Sequence, residues 1–359
     1  MKKNILMIMY AKTVGGAELQ FLELANYLAK KNRVRLLCLG GSGAIQGEKM
    51  CDGLDVKVYT YDSSLSAIVG LLKAFWSNVF YSTETIVTTS FIGNVLGYTL
   101  SLFKKVRCIS LQTVSVCMRH PIVDEFILKK FEVLVAGAND IKEYLIEHGQ
   151  NLDKIQVIHN WVDFSKRKAT KSALEVKEIL GIEGKTAIGC IGRLHPQKGQ
   201  IYLIRAFSRI VDTSPNTALV LVGDGETRAL LEEEVEKLNI AEHVVFTGSV
   251  SGDEYNNILS MFDIYVQPSV FEGLPRTLLD AMYLEKPIVA TSINGNKEAI
   301  RHEVNGLLIP SENDELIFEA VSKLMSDEDW AKTLAKQANK DAKSHFSMLD
   351  QLVKIEALI

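Results

Sequence analysis

Two acids eight residues apart, Glu272 and Asp280, stand in the stretch Phe271-Glu-Gly-Leu-Pro-Arg-Thr-Leu-Leu-Asp280-Ala-Met. The first sits in a Gly/Pro loop and the second inside an apolar helical pattern. The run before them, Asp263-Ile-Tyr-Val-Gln-Pro-Ser269, reads as a buried strand that ends at a proline. The order is therefore strand, loop, helix. Pro275 fits the first helical position, where its missing N–H costs nothing. The unpaired N–H groups of such a helix start can hold an anion, and both carboxylates can accept hydrogen bonds from hydroxyls. An anion site flanked by two hydroxyl acceptors suits a sugar nucleotide. Its expected place, at the carboxyl end of a strand, is where open α/β sheets bind ligands.

A second cluster has the same form. Gly189-Cys-Ile-Gly192-Arg193-Leu-His195-Pro-Gln-Lys198-Gly199 follows an apolar run and precedes the helical pattern Gln200–Val211. Arg193 can fork two phosphate oxygens and Lys198 adds a point charge. Two cations at a strand-to-helix turn can neutralise a leaving diphosphate without a metal. His195 reads as a loop residue. The first such turn of the chain, Tyr10-Ala-Lys-Thr-Val-Gly15-Gly16-Ala-Glu, has paired glycines that admit a ligand close to the backbone, but it is not the GxGxxG dinucleotide fingerprint. Leu221-Val-Gly223-Asp-Gly225 is chiefly turn chemistry, and Phe246-Thr-Gly248 could cradle a base.

These residues need a scaffold of alternating strands and helices, and the chain supplies one. Ile5–Met9, Val34–Leu39, Val56–Tyr59, Thr85–Thr88, Val106–Leu111 and Val133–Ala136 read as strands of a first half. Ala187–Ile191, Ala218–Val222, Val244–Phe246, Ile264–Gln267 and Pro287–Ala290 read as strands of a second. Amphipathic stretches such as Ala17–Ala29 lie between them. The alternation predicts two doubly wound parallel sheets, with the lysine-rich stretch Phe164–Lys177 as linker.

Bulk properties agree with such a fold. The chain has 359 residues, enough for two domains, with 47% hydrophobic and 23% charged residues. No apolar run approaches the roughly 18–20 residues that span a bilayer, and the apolar start reads as a first buried strand rather than a signal peptide. Five scattered cysteines, Cys38, Cys51, Cys108, Cys117 and Cys190, form no metal-ligand spacing and read as reduced thiols of a cytoplasmic protein. Net charge is −4, unevenly spread: residues 1–170 hold 21 Lys+Arg against 15 Asp+Glu, while the remainder is net −10. Basic and apolar residues mix at Leu71–Trp76, Leu102–Arg107 and Phe126–Phe131, a pattern compatible with an anionic membrane surface or with helices packed on a sheet.

Taken together, Gly15-Gly16-Ala17-Glu18, Asn160-Trp-Val-Asp163, Gly192-Arg193-Leu-x3-Lys198-Gly199, Gly223-Asp-Gly225, Phe246-Thr-Gly248, Pro268-Ser-x2-Glu272-Gly-x-Pro275, Ala281-Met282 and Asn305-Gly306-Leu-Leu-x-Pro310 resemble the retaining glycosyltransferase family 4. The resemblance implies an α/β fold of the GT-B type, two Rossmann-like doubly wound domains facing across a deep cleft. Residues 1–165 would form an acceptor domain and 166–340 a nucleotide-sugar domain. Residues 341–359 would be a helix crossing back to the first. It implies a retaining, metal-independent hexosyltransferase that needs no cofactor. Such an enzyme moves a hexose or N-acetylhexosamine from a nucleotide-diphosphate sugar, a UDP-sugar by default. The acceptor would be a glycan or lipid-linked molecule in cell-surface polysaccharide synthesis, and no nucleic acid is expected as a partner. The location would be cytoplasmic, at the inner face of the membrane if peripheral.

By position, Arg193 and Lys198 would bind the donor diphosphate, Glu272 the transferred sugar and Asp280 the ribose. Gly15, Gly16, Gly192, Gly223, Gly248, Gly273, Leu274, Pro275 and Leu278 would line the donor site. Three departures from the family pattern stand out. Asp280 replaces a usual Glu, which lengthens the ribose contact by one methylene. Tyr283-Leu-Glu285-Lys-Pro287 replaces Ala-x-Gly-x-Pro. Gln112 occupies the strand end where relatives carry His, leaving Gln112 and His120 as acceptor-side candidates. A non-catalytic partner subunit and a sugar-nucleotide epimerase are the alternative readings.

Overall fold

The computed structural model describes residues 2–11, 15–40, 50–60, 64–112 and 121–359. It divides into two compact units, Met1–Asn160 with Leu349–Ile359, and Trp161–Met348.

The first unit runs β1 (Asn4–Ala11), α1 (Gly16–Ala29), β2 (Arg33–Gly40), β3 (Leu54–Thr60), α2 (Ser64–Val79), β4 (Thr85–Thr89), α3 (Phe91–Ser101), β5 (Arg107–Gln112), α4 (Pro121–Leu128), β6 (Val133–Ala136), α5 (Asn139–Glu147) and β7 (Ile155–Val157). Its seven-stranded sheet has the order β3-β2-β1-β4-β5-β6-β7 and is parallel throughout. Ile5 pairs with Val34 on one side and Thr85 on the other, so β1 is a central strand. Its apolar run is continuous because helices cover both faces of a parallel sheet.

The second unit runs α6 (Ala173–Ile179), β8 (Thr186–Ile191), α7 (Gln200–Thr213), β9 (Thr217–Val222), α8 (Arg228–Lys237), β10 (Val244–Gly248), α9 (Gly252–Met261), β11 (Ile264–Gln267), α10 (Arg276–Tyr283), β12 (Ile288–Thr291), α11 (Asn294–Ala299), β13 (Leu307–Ile309), α12 (Asp314–Ser326) and α13 (Glu328–His345). The sheet order is β10-β9-β8-β11-β12-β13. This is the doubly wound 3-2-1-4-5-6 arrangement, with its reversal between β8 and β11. Gly189, mid-β8, leaves room for the Phe262 ring: a Cβ there would stand 2.2 Å from it.

A last helix, α14 (Met348–Leu358), belongs almost wholly to the first unit. Leu352 and Ile355 are fully buried. The Tyr27 hydroxyl of α1 donates to Glu356 at 2.6 Å, and Lys31 donates to the same carboxylate at 2.9 Å.

Several expectations shift. The two short strands β7 and β13 lie outside the expected set. The expected linker Phe164–Lys177 is shorter than its composition implied, because α6 starts within it; Ser172 and Glu175 form a capping box, with Ser172 N–H donating to Glu175 at 2.7 Å. The unit division falls at 160/161 rather than 165/166. Trp161 and Val162 are buried, and Val162 exchanges backbone hydrogen bonds with Phe346 and Met348 at 3.0 and 3.1 Å. The returning segment begins at Leu349 rather than 341, since α13 packs on α10 within the second unit. Pro275 is the N-cap of α10, one residue before the first helical position.

Candidate active site

The loops leaving β8 and β11 carry the candidate residues Arg193, Lys198 and Glu272. These neighbouring strands flank the reversal of strand order, so their loops diverge around open space at the carboxyl edge of the sheet. Lys198 comes from the first loop and Glu272 from the second. Lys198 Nζ donates to Glu272 Oε1, forming an ion pair between two largely buried side chains. The same oxygen accepts from Ser269 Oγ at 3.0 Å and Gln267 Nε2 at 3.3 Å. Gln267 is oriented in turn by the Tyr265 hydroxyl, which donates to its Oε1 at 2.6 Å. Tyr265, Gln267 and Ser269 are buried. Three donors thus fix Oε1, whereas Oε2 has no partner among the described residues.

The two loops are joined by backbone. Val270 N–H donates to Gln197 O at 2.8 Å, and Gln197 Nε2 to Phe271 O at 3.0 Å. Gly199 makes the approach possible. It has φ +65°, and a Cβ there would stand 2.1 Å from Pro268 O. Arg193 is exposed, its guanidinium without a partner among the described residues, and its carbonyl accepts from Gln200 Nε2 at 3.1 Å. His195 is a loop residue as expected: its Nδ1 accepts from Gln197 N–H at 3.1 Å and caps the turn that presents Lys198.

The glycines Gly192, Gly223 and Gly248 lie on three adjacent loops. Gly192 N–H donates to Val222 O and Gly223 N–H to Gly248 O, both at 2.9 Å. A Cβ on Gly223 would meet Gly192 O at 2.1 Å, so the neighbouring loop alone requires glycine there. Gly273, Leu274 and Pro275 form the turn into α10. Leu274 and Leu278 are buried and serve the core of that turn. Gly295, not singled out by the sequence, supports it: a Cβ would stand 1.5 Å from Gly273 O.

Asp280, the expected ribose contact, is enclosed by side chains that the sequence did not single out. It is buried, and both oxygens are engaged: Arg167 Nε donates to Oδ1 at 2.6 Å and the Tyr255 hydroxyl to Oδ2 at 2.7 Å. Burial pushes its pKa up, against the pull of Arg167. Tyr255 is raised by burial and then by Asp280. Neither Arg167 nor Tyr255 carries a sequence signal beyond its polarity.

The remaining candidates belong to the first unit. Gly15 caps α1, its N–H donating to Glu18 at 3.0 Å, and Gly16 opens the helix. Gln112 ends β5 and donates to Ser110 Oγ at 2.7 Å; Ser110 donates to Asn94 at 2.8 Å. Ser90, at the end of β4, holds φ 68° and ψ 159° while its hydroxyl accepts from Tyr10 N–H at 3.2 Å. This is a strained backbone of the kind kept at functional sites. His120 lies outside the described residues.

The comparisons with known proteins come to bear on this geometry. The family model for glycosyl transferases group 1 matches residues 173–342. An uncharacterised glycosyltransferase of Methanocaldococcus jannaschii is 33% identical over 199 residues, covering 54% of this chain and 51% of its own. The UDP-Gal:alpha-D-GlcNAc-diphosphoundecaprenol alpha-1,3-galactosyltransferase of Escherichia coli is 29% identical over 57% of this chain and 54% of its own. The chain thus spans about half the length of the curated relatives it matches. Among solved structures, Anabaena HepE with UDP superposes with a TM-score of 0.87 at 21% identity, covering 100% of this chain and 99% of that one. The same protein with UDP-glucose gives 0.87.

Proposed function

We propose a specific sugar-transfer activity for a chain whose residues 173–342 match the family model for glycosyl transferases group 1 and whose two units have the GT-B fold. It moves a hexose or N-acetylhexosamine from a UDP-sugar to a glycan or lipid-linked acceptor in cell-surface polysaccharide synthesis, on the cytoplasmic side of a membrane. The carrying observation is Glu272, whose Oε1 is held by three donors, Lys198 among them, while Oε2 has no partner among the described residues. The open oxygen accepts a sugar hydroxyl, and the two cations hold the diphosphate. Donor binding then recruits Lys198 from the carboxylate toward phosphate. UDP and UDP-glucose in the Anabaena structures support the choice of base, and the lipid-diphosphate acceptor in the E. coli relative's name supports the acceptor class.

In the transfer, the bond from the anomeric carbon to the diphosphate oxygen breaks. A bond to the acceptor oxygen forms on the same face, and the acceptor proton passes to the departing diphosphate. Arg193 and Lys198 stabilise the charge that develops on that leaving group, the term that dominates such sites. No metal is required, because the two cations meet this charge.

Calorimetry with UDP, GDP and ADP in the absence of metal tests the reading, with Arg193→Ala as control. Binding of UDP alone, lost in the variant, is expected. Failure of all three nucleotides to bind would overturn the donor site. NMR of the product then reads the anomeric configuration.

A further inference from the structure

Helix α2 turns a row of large apolar side chains to solvent. Ile68, Leu72 and Trp76 follow at four-residue spacing and Phe80 continues the row; Trp76 is 63% and Phe80 88% exposed. Helix α3 packs beside α2, and its C-terminal turn adds exposed Leu102 and Phe103. Between the helices lies a groove of about 500 Å³ whose lining is apolar apart from Thr99; Leu71, Phe75, Phe91 and Val95 form part of it. Phe75 meets Trp76 and Phe103 edge to face at 5.4 Å in both cases. An apolar face of this kind marks an interaction surface.

Its charge says with what. From residue 64 to 107 the chain carries four cations, Lys73, Lys104, Lys105 and Arg107, and one acid, Glu84; Arg107 is paired with Glu132 at 3.2 Å, which leaves the lysines. Lys73 and Lys105 are exposed. Lys104 donates to Asn78 O at 2.6 Å and so places its charge where α2 ends. A two-fold dimer on this face would bring the same cations together. Exposed aromatics next to Lys73 and Lys105, which have no ion-pair partner among the described residues, match the interface of an anionic bilayer, with rings at headgroup depth and ammonium groups on lipid phosphates.

We propose that the α2–α3 face of the first unit docks on an anionic lipid bilayer. The test is co-sedimentation of the full chain with phosphatidylcholine vesicles, with and without phosphatidylglycerol, and no nucleotide present. Retention by the anionic vesicles, weakened by salt, is expected. The double variant Trp76→Ser, Phe80→Ser should lose about tenfold or more in partition at an unchanged thermal midpoint, since both side chains lie outside the core. Lys73→Glu with Lys105→Glu should remove the preference for anionic lipid and guards against a misfolded first variant. Absence of retention overturns the proposal. So does equal retention of the serine variant, or a dimer that the serine variant abolishes without any vesicle binding. Because the readout involves no sugar transfer, its failure would leave the donor-site reading untouched.

Discussion

At the scale of single residues, the ion pair of Lys198 and Glu272 has a measurable consequence. Removing one partner of a buried pair leaves an uncompensated charge. Lys198→Ala should therefore lower the unfolding free energy by about 3–5 kcal/mol, and Glu272→Gln by less, because the cation it strands, Lys198, is the more exposed of the two side chains. Urea unfolding decides; a Lys198→Ala variant as stable as the parent would mean that the pair is not held in solution. Asp280 makes a prediction in pH. Its folded pKa is raised above the ordinary 3.8 by burial. Between the unfolded and folded values, the native chain thus keeps a proton that the unfolded chain releases. The stability from the protonated form is full below the unfolded value and is lost as pH rises through the folded one. The stability difference between the parent and Asp280→Asn should therefore fall as pH climbs out of the acid range. A rise would contradict the buried placement. The sequence showed Glu272, Lys198 and Arg193 at strand ends, since their types and the glycines around them were informative. It did not show that Asp280 is enclosed, because Arg167 and Tyr255 lie 113 and 25 residues away and only the fold brings them in.

At the scale of elements, Gly199 is the joint between the β8 and β11 loops. Its φ of +65° and the 2.1 Å approach to Pro268 O leave no room for a side chain. Gly199→Ala should cost at least about 1–3 kcal/mol, and more where Pro268 must shift, with loss of nucleotide affinity as Lys198 is displaced. Thermal unfolding and calorimetry on one preparation measure both. Unchanged affinity would show that Lys198 is placed by something else. Most strands were legible because both faces of a parallel sheet are buried, so their runs are continuously apolar. β7 and β13 were not, being three residues each and shorter than any periodicity can register. The start of α6 was written in the sequence as Ser172-Ala-Leu-Glu175, a capping-box spacing, but lysines on either side gave the stretch a linker's composition.

At the scale of the whole molecule, the first unit is assembled from two separated pieces of chain. Leu352 and Ile355 are fully buried, and each contributes about 1.5–3 kcal/mol on burial. Deleting residues 349–359 should therefore destabilise the first unit by roughly 3–6 kcal/mol. Amide exchange would rise in α1 while β8 to β13 keep their protection. Uniform exchange through both units would instead mean that they unfold as one. The Glu356 contacts with Tyr27 and Lys31 are partly exposed and contribute less. This division also sets a timetable. A ribosome delivers residues 1–160 first and residues 349–359 only after the whole of the intervening unit. At about 5–20 residues per second, that interval lasts roughly 10–40 s. The nascent chain thus holds a sheet whose covering helix has yet to be made. Of the two units, the one whose synthesis starts earlier is the one completed later, and throughout that wait its bare α1 side is available to chaperones.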